Sequence, residues 1–141
     1  MATATEVGLE HFRSAIERAL AEADADESLG PLLSATRLHL CFEFTDADLF
    51  LNVTAGEHGR NLSWSFGDAP DESAQLVLRM ETAVANRWLQ GGESIPLGIA
   101  RGRVRCSGES RAALRYLPAT KLLAAPYRRV VERDFPDLLV A

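Results

Sequence analysis

Residues 91–108 read Gly-Gly-Glu-Ser-Ile-Pro-Leu-Gly-Ile-Ala-Arg-Gly-Arg-Val-Arg-Cys-Ser-Gly. The ten residues before this stretch place Val84, Ala85, Trp88 and Leu89 on one side of a helix over 81–90, which runs out at Gly91-Gly92. After Gly102 the alternation Arg103-Val104-Arg105-Cys106-Ser107 predicts a short strand over 102–107, closed by Gly108. Between helix and strand lies an apolar cluster, Ile95, Pro96, Leu97, Ile99 and Ala100, in what reads as a connection. An apolar segment in a connection has to be covered by protein, by a partner or by a ligand. No nucleophile, metal or phosphate signature accompanies it, so the stretch points to a greasy binding site and away from chemistry.

Upstream, strand periodicity dominates. In 36–44 one face carries Leu38, Leu40, Phe42 and Phe44, and the other Arg37, His39, Cys41 and Glu43. Thr45 to Asp48 is a turn. Leu49, Leu51 and Val53 form one face of the next strand, and Gly56 to Gly59 turns the chain again. Leu62, Trp64 and Phe66 then alternate with Asn61, Ser63 and Ser65, and Leu76, Leu78 and Met80 mark a fourth strand. Short turns between successive strands predict antiparallel pairing, and one apolar face predicts a sheet covered on one side. The N-terminal segment 6–25 is helical, with Leu9, Phe12, Ile16 and Leu20 at three-to-four spacing. The acidic run Glu22 to Glu27 is its solvated end, and Gly30-Pro31 stops it.

Downstream, 109–117 reads as a helix broken by Pro118, with Ser107 as its cap. A second helical region, 120–133, is expected to kink or stop at Pro126. The tail 137–141 frays or docks. There is no internal repeat, no low-complexity linker and no second domain. The expected architecture is α+β: a five-stranded, mostly antiparallel sheet covered on one face by helices, with residues 1–141 as a single domain, a core over 7–125 and a C-terminal tail over 126–141.

Composition narrows the function. The chain has 141 residues and a formal net charge of −5, so nucleic acid is not an expected partner. No apolar run reaches the ~20 residues that span a bilayer, and the first residues lack the basic and apolar regions of a secretory leader. Cys41 and Cys106 fall in separate strands and read as reduced thiols of a cytoplasmic protein. The ending Leu-Leu-Val-Ala is not a Ser-Lys-Leu-type peroxisomal address.

Several constellations carry chemical potential. His39, Cys41 and Glu43 share a strand face at ligand-type spacing, but His11 and His58 lie in unrelated elements and no fourth ligand is near in sequence. The polar outer face of a sheet is the better account, and no metal is expected. Asp46 and Asp48 could pair as acid and base; in a turn, local hydrogen bonding explains them. The same holds for Asp68, Asp71 and Glu72. Ser107 and Ser110 lack the Gly-x-Ser-x-Gly setting, and no dinucleotide or P-loop motif occurs. Arg101, Arg103 and Arg105, with Arg111 and Arg115, form a basic patch on an acidic chain. It suits either a solvated, ion-paired strand face or contact with a headgroup or an anionic membrane.

The helix ending at a Gly turn, the short apolar segment and then Gly102-Arg103-Val104-Arg105-Cys106-Ser107-Gly108 resemble the sterol-carrier-protein (SCP-2-like, non-specific lipid-transfer) domain. The order of elements over roughly residues 7–125 is similar to that family as well. Read by themselves, Trp88, Leu89, Ile95, Leu97, Ile99, Leu122, Leu123 and Tyr127 pack a closed core. The resemblance implies instead a hydrophobic tunnel between the sheet and the helices. Leu40, Phe42, Leu51, Trp64, Leu78, Trp88, Leu89, Ile95, Leu97, Ile99, Leu122 and Leu123 would then contact a fatty acid, acyl-CoA or sterol-like lipid. Arg101, Arg103 and Arg105 would meet its headgroup or a membrane. The resemblance implies a non-catalytic lipid binder without a cofactor, with transient membrane contact.

Two other classes are weighed against this. In one, the domain is an interaction or accessory module with a filled core. It would dimerise or serve a partner enzyme, docking through Leu138, Leu139 and Val140. In the other, it is a small enzyme using His39 or the Asp46/Asp48 pair.

Overall fold

The computed structural model describes residues 4–57, 59–67 and 69–140. His58 and Asp68 lie outside the described residues. The chain runs α1 (Ala4–Ala25), α2 (Leu29–Thr36), β1 (His39–Phe44), β2 (Leu49–Ala55), β3 (Leu62–Gly67), β4 (Leu76–Met80), α3 (Thr82–Leu89), α4 (Ile95–Ala100), β5 (Val104–Gly108), α5 (Ser110–Thr120) and α6 (Ala124–Asp134). Single 3-10 turns follow α5 at Lys121–Leu123 and α6 at Pro136–Leu138.

The fold is α+β, as expected, and the five strands lie in the order β3-β2-β1-β4-β5. Three of the four pairings are antiparallel; β1 and β4 are parallel, with Leu40 opposite Leu76 and Phe44 opposite Met80. The parallel pair is the part that short-turn logic misses. The chain leaving β3 does not fold back onto it. It crosses the polar face of the sheet and enters beside β1. The crossing loop is held by Asn52, whose Oδ1 accepts the Asp71 N–H (2.9 Å) and whose Nδ2 donates to the Ala69 carbonyl (3.3 Å).

The inner face carries Leu40, Phe42, Phe44, Leu51, Val53, Leu76, Leu78 and Met80, all buried. Register puts them side by side, for example Phe42 against Leu51 and Leu78. α1 and α6 close over this face. Phe12 meets Phe44 edge-on at 5.1 Å and Tyr127 at 6.4 Å. Ion pairs at the rim join the same two helices: Arg133 to Glu22 (2.9 Å) and Arg18 to Asp134 (3.2 Å).

Prolines account for three corrections. α2 occupies residues expected to be a stop followed by the start of a strand. Pro31 sits in its first turn, where a missing N–H costs nothing because that group has no helical partner. Asp26 joins α1 to α2 by accepting the N–H groups of Leu29 (2.7 Å) and Ser28 (2.8 Å), and these donors hold its carboxyl below the ordinary range. Pro126 plays the same first-turn role in α6, so the interruption comes before it, at Lys121–Leu123, and not at Pro126. Pro118 does not break α5, which continues to Thr120. The carbonyl that Pro118 leaves unbonded belongs to Leu114, on the exposed side of the helix.

The remaining corrections are local. Residues 95–100 are not an irregular connection but the short helix α4, with Ser94 Oγ accepting the Leu97 N–H at 3.1 Å. Ser107 is not a cap; it lies in β5 and accepts from Arg79 (3.0 Å). The segment 126–131, expected to begin a tail, is core: Tyr127, Val130 and Val131 are fully buried.

Candidate functional site

An apolar cleft of about 480 Å³ opens between the C-terminal end of α3, the segment 91–96, and the run from α5 into α6. Each wall follows from a local feature of the sequence. α3 begins where Asp46 caps it: the carboxylate accepts the Thr82 N–H (2.8 Å) and the Thr82 hydroxyl (2.7 Å). That places Trp88 and Leu89 in its last turn. Gly91, with φ +85°, turns the chain, and Ser94 starts α4 so that Ile95 and Pro96 face the cleft. On the other side α5 runs on through Pro118 and tightens into the 3-10 turn at Lys121–Leu123, and Leu117, Pro118, Thr120, Lys121 and Ala124 complete the wall.

Trp88 connects the cleft to the interior. Its ring is 5.9 Å from that of Phe42, tilted by 40°. Beside Phe42 on the inner sheet face lie Leu40, Leu51 and Leu78. Thus Trp88, Leu89 and Ile95 line the cleft directly, while Leu40, Phe42, Leu51 and Leu78 are one layer deeper. Leu123 is buried in the core, and Leu122 packs against it partly covered. Trp64 is half-buried on β3, with the Arg60 guanidinium 5.2 Å over its ring, away from the cleft. Leu97 and Ile99 are 43% and 42% exposed and stand outside the cleft. Sequence reasoning missed Leu117, Pro118, Thr120, Lys121 and Ala124. Their signal is weak, because a helix end that tightens into a 3-10 turn reads as a simple proline break.

Glu93 anchors the segment between α3 and α4. Its side chain is 6% exposed and holds Arg103 at 2.7 Å and Arg87 at 3.6 Å. The hydrogen bonds from Arg103 come first among the causes that keep its carboxyl below the ordinary value. Arg103 is therefore engaged in holding the wall. Arg101 is exposed, and Arg105 reaches a neighbouring cavity beside Arg79.

The C-terminal residues brace α3 from behind. Asn86 Nδ2 and Gln90 Nε2 both donate to the Leu138 carbonyl (2.9 Å each), and Gln90 Oε1 accepts the Val140 N–H at 3.1 Å. The tail thus docks against the helix that forms the cleft floor. Tyr127 adds a hydrogen bond from its hydroxyl to Asn86 Oδ1 (2.7 Å).

His39, Cys41 and Glu43 lie on the opposite sheet face, and Asp46 and Asp48 in the turn between β1 and β2. His39 Nε2 is 3.1 Å from Asp71 Oδ2, and Ser73 Oγ is 3.5 Å from His39 Nδ1. The Ser73 hydroxyl donates to Asp71 Oδ1 (2.8 Å), so its proton is committed to the carboxylate and not to the imidazole. The arrangement clamps the β3–β4 crossing loop to the sheet. The Ser73 N–H and hydroxyl, and then His39, hold the Asp71 carboxyl below the ordinary range. Cys41 is fully buried, which pushes its thiol up to about 11, and Glu43 is paired with Arg79. Among the described residues, no group of three His, Cys, Asp or Glu side chains is placed to hold a metal ion. Asp46 caps α3, and Asp48 takes a left-handed turn conformation with φ +48°.

No family model matches this sequence, and no curated protein matches it. Solved structures do match its fold. A UbiJ-SCP2 ubiquinone synthesis protein is similar over 86% of this chain and 98% of its own, at TM-score 0.58 and 13% identity. Sterol carrier protein 2 from Yarrowia lipolytica, in its apo form, is similar over 81% and 87%, at TM-score 0.56 and 8% identity. The sec-alkylsulfatase Pisa1 from a Pseudomonas species is similar over 71% of this chain, at TM-score 0.56 and 17% identity, and the chain spans only about 15% of that enzyme's length. The fold is therefore SCP-2-like.

Proposed function

We propose that the protein binds, and transfers, a hydrophobic ligand carrying a fatty acyl or sterol-like body. The carrying observation is the apolar cleft floored by Trp88, within an SCP-2-like fold. A ligand entering past Ile95, Pro96 and Leu117 would displace the Trp88 ring and reach Phe42, Leu51 and Leu78, turning the cleft into a tunnel against the inner sheet face. Each Å² of apolar surface removed from water would contribute roughly 25 cal/mol, and ~480 Å³ suits one lipid tail. We assign no catalytic residue: the hydroxyl of Ser73 and the Asp46 carboxylate are engaged in structural hydrogen bonds.

The cleft surroundings favour transient contact with an anionic membrane. Glu93 is taken up by Arg103 and Arg87, and between 95 and 123 Arg101, Arg105, Arg111, Arg115 and Lys121 stand against one acidic residue, Glu109. Leu97, Ile99 and Leu114 stand exposed on the two helices that frame the cleft. No helix among the described residues is long and apolar enough to cross a membrane; a cytoplasmic site of action is part of the proposal.

A second reading is supported by the alkylsulfatase likeness, in which the same fold is a small part of a longer enzyme. There the domain would serve a partner enzyme or a second copy as an accessory module, and the cleft would stay empty. Uptake of oleate and of a sterol by delipidated protein separates the two. Ala124→Trp, which fills the cleft, should abolish uptake with the fold intact by circular dichroism. Absence of uptake in the wild-type chain would leave the accessory module.

A further inference from the structure

A second cavity, of about 450 Å³, lies where β4, β5 and α3 meet. α3 presents different residues to the two sites: Trp88 and Leu89 to the apolar cleft, Val84 and Arg87 to this one. Four guanidinium side chains, Arg79, Arg87, Arg103 and Arg105, line it over a floor of Met80 and Val84, and Glu81 is the sole acidic residue of its lining.

The register sets two of these arginines side by side. Arg79 and Arg105 are direct cross-strand partners on β4 and β5, and like charges at that position repel. Glu43, opposite Arg79 on β1, neutralises only Arg79. Arg87 and Arg103 share the single carboxylate of Glu93. Arg105 has no carboxylate partner among the described residues. An excess of guanidinium groups is thus held at one concave place in a chain of net charge −5. Planar guanidinium forks match the oxygens of phosphate, and three terminal oxygens accept from more of these donors than the two of a carboxylate.

We propose that this cavity binds a phosphate monoester dianion, with Arg105 as its principal ligand and Arg79, Arg87 and Arg103 around it. The proposal stands without the lipid reading, since nothing in it needs the apolar cleft to be filled. The phosphate could belong to a free, soluble ester or to an amphiphile whose chain lies in the cleft, because Glu93 borders the cleft and pairs with two arginines of the cavity.

The test is calorimetric titration of the full chain, in phosphate-free buffer, with glycerol phosphate, lysophosphatidic acid and oleate. Saturable, stoichiometric binding of a phosphate-bearing probe is expected, weakened about tenfold or more by Arg105→Gln. Because Arg105→Gln also removes the repulsion with Arg79, its Tm without ligand should not fall below that of the wild type, which keeps the variant informative. Lysophosphatidic acid binding tighter than both glycerol phosphate and oleate would assign the phosphate to an amphiphile bridging the two sites. Equal affinity for the two phosphate probes would assign it to a soluble ester. No saturable binding of either phosphate probe, or equal affinity in Arg105→Gln, would overturn the proposal. The oleate arm reports on the cleft alone, so failure there would count against the lipid reading and not against this one.

Discussion

Glu93 holds two guanidinium groups from a nearly covered position, and its carboxyl titrates below the ordinary value of 4.5. A carboxyl with a lower pKa folded than unfolded contributes stability above its unfolded pKa, and that contribution is lost as pH falls through the folded value. Glu93→Gln is therefore expected to lower the urea midpoint at neutral pH and to flatten the fall in stability on the acid side of 4.5. An unchanged midpoint would mean that the wall of the cleft does not depend on this anchor. At Gly108, φ is +127° and a Cβ would stand 2.3 Å from the Gln75 carbonyl oxygen. Gly108→Ala should cost about 2–4 kcal/mol, read from denaturant unfolding. The thiols give a third check. Burial pushes Cys41 up to about 11 and raises Cys106 as well, so native protein at neutral pH should resist alkylation at Cys41 and react slowly at the half-buried Cys106. In urea both should react freely.

At the scale of elements, the cleft depends on how α3 is held. Asp46 caps its start, Tyr127 and the chain end brace its far side, and Trp88 forms the floor between them. Tyr127→Phe leaves packing intact and removes one hydrogen bond to Asn86, which should cost about 1–2 kcal/mol in unfolding experiments. Deleting residues 137–141 removes the contacts to Asn86 and Gln90. It should raise amide exchange across 86–94 before it affects the sheet. The strands were legible because apolar residues recur at every second position within each of them, as in Leu38, Leu40, Phe42 and Phe44 or Leu76, Leu78 and Met80. The helices were harder to read. Pro31 and Pro126 look like stops in sequence, yet in a first turn proline removes only an N–H that has no helical partner. Gly98 hid α4 in the same way. A glycine amid apolar residues is a poor helix former, but a Cβ there would stand 2.7 Å from the Val104 side chain, so close packing of α4 on β5 is what requires it. The parallel β1–β4 pair left no local mark at all, because it is set by where the crossing loop lands.

At the scale of the whole molecule, an apolar cleft and an arginine-lined cavity lie on either side of α3. The stretch that identified the fold, 91–108, supplies one wall of the apolar cleft, the anchor Glu93 and two of the four arginines in the neighbouring cavity. The deeper candidates Leu40, Phe42, Leu51 and Leu78 were legible as inner-face residues, but whether they meet a ligand depends on movement of the Trp88 ring, which no periodicity reveals. Trp64→Phe leaves Trp88 as the sole indole, so its emission should shift on ligand uptake if the ring moves as proposed. The central claim, that the cleft holds a lipid, is tested most directly by native mass spectrometry of the purified chain, followed by organic extraction and analysis of what is released. The account predicts a stoichiometric added mass that extraction removes and that returns when the protein is incubated with a fatty acid or sterol. A bare polypeptide mass that stays bare after such incubation would contradict it.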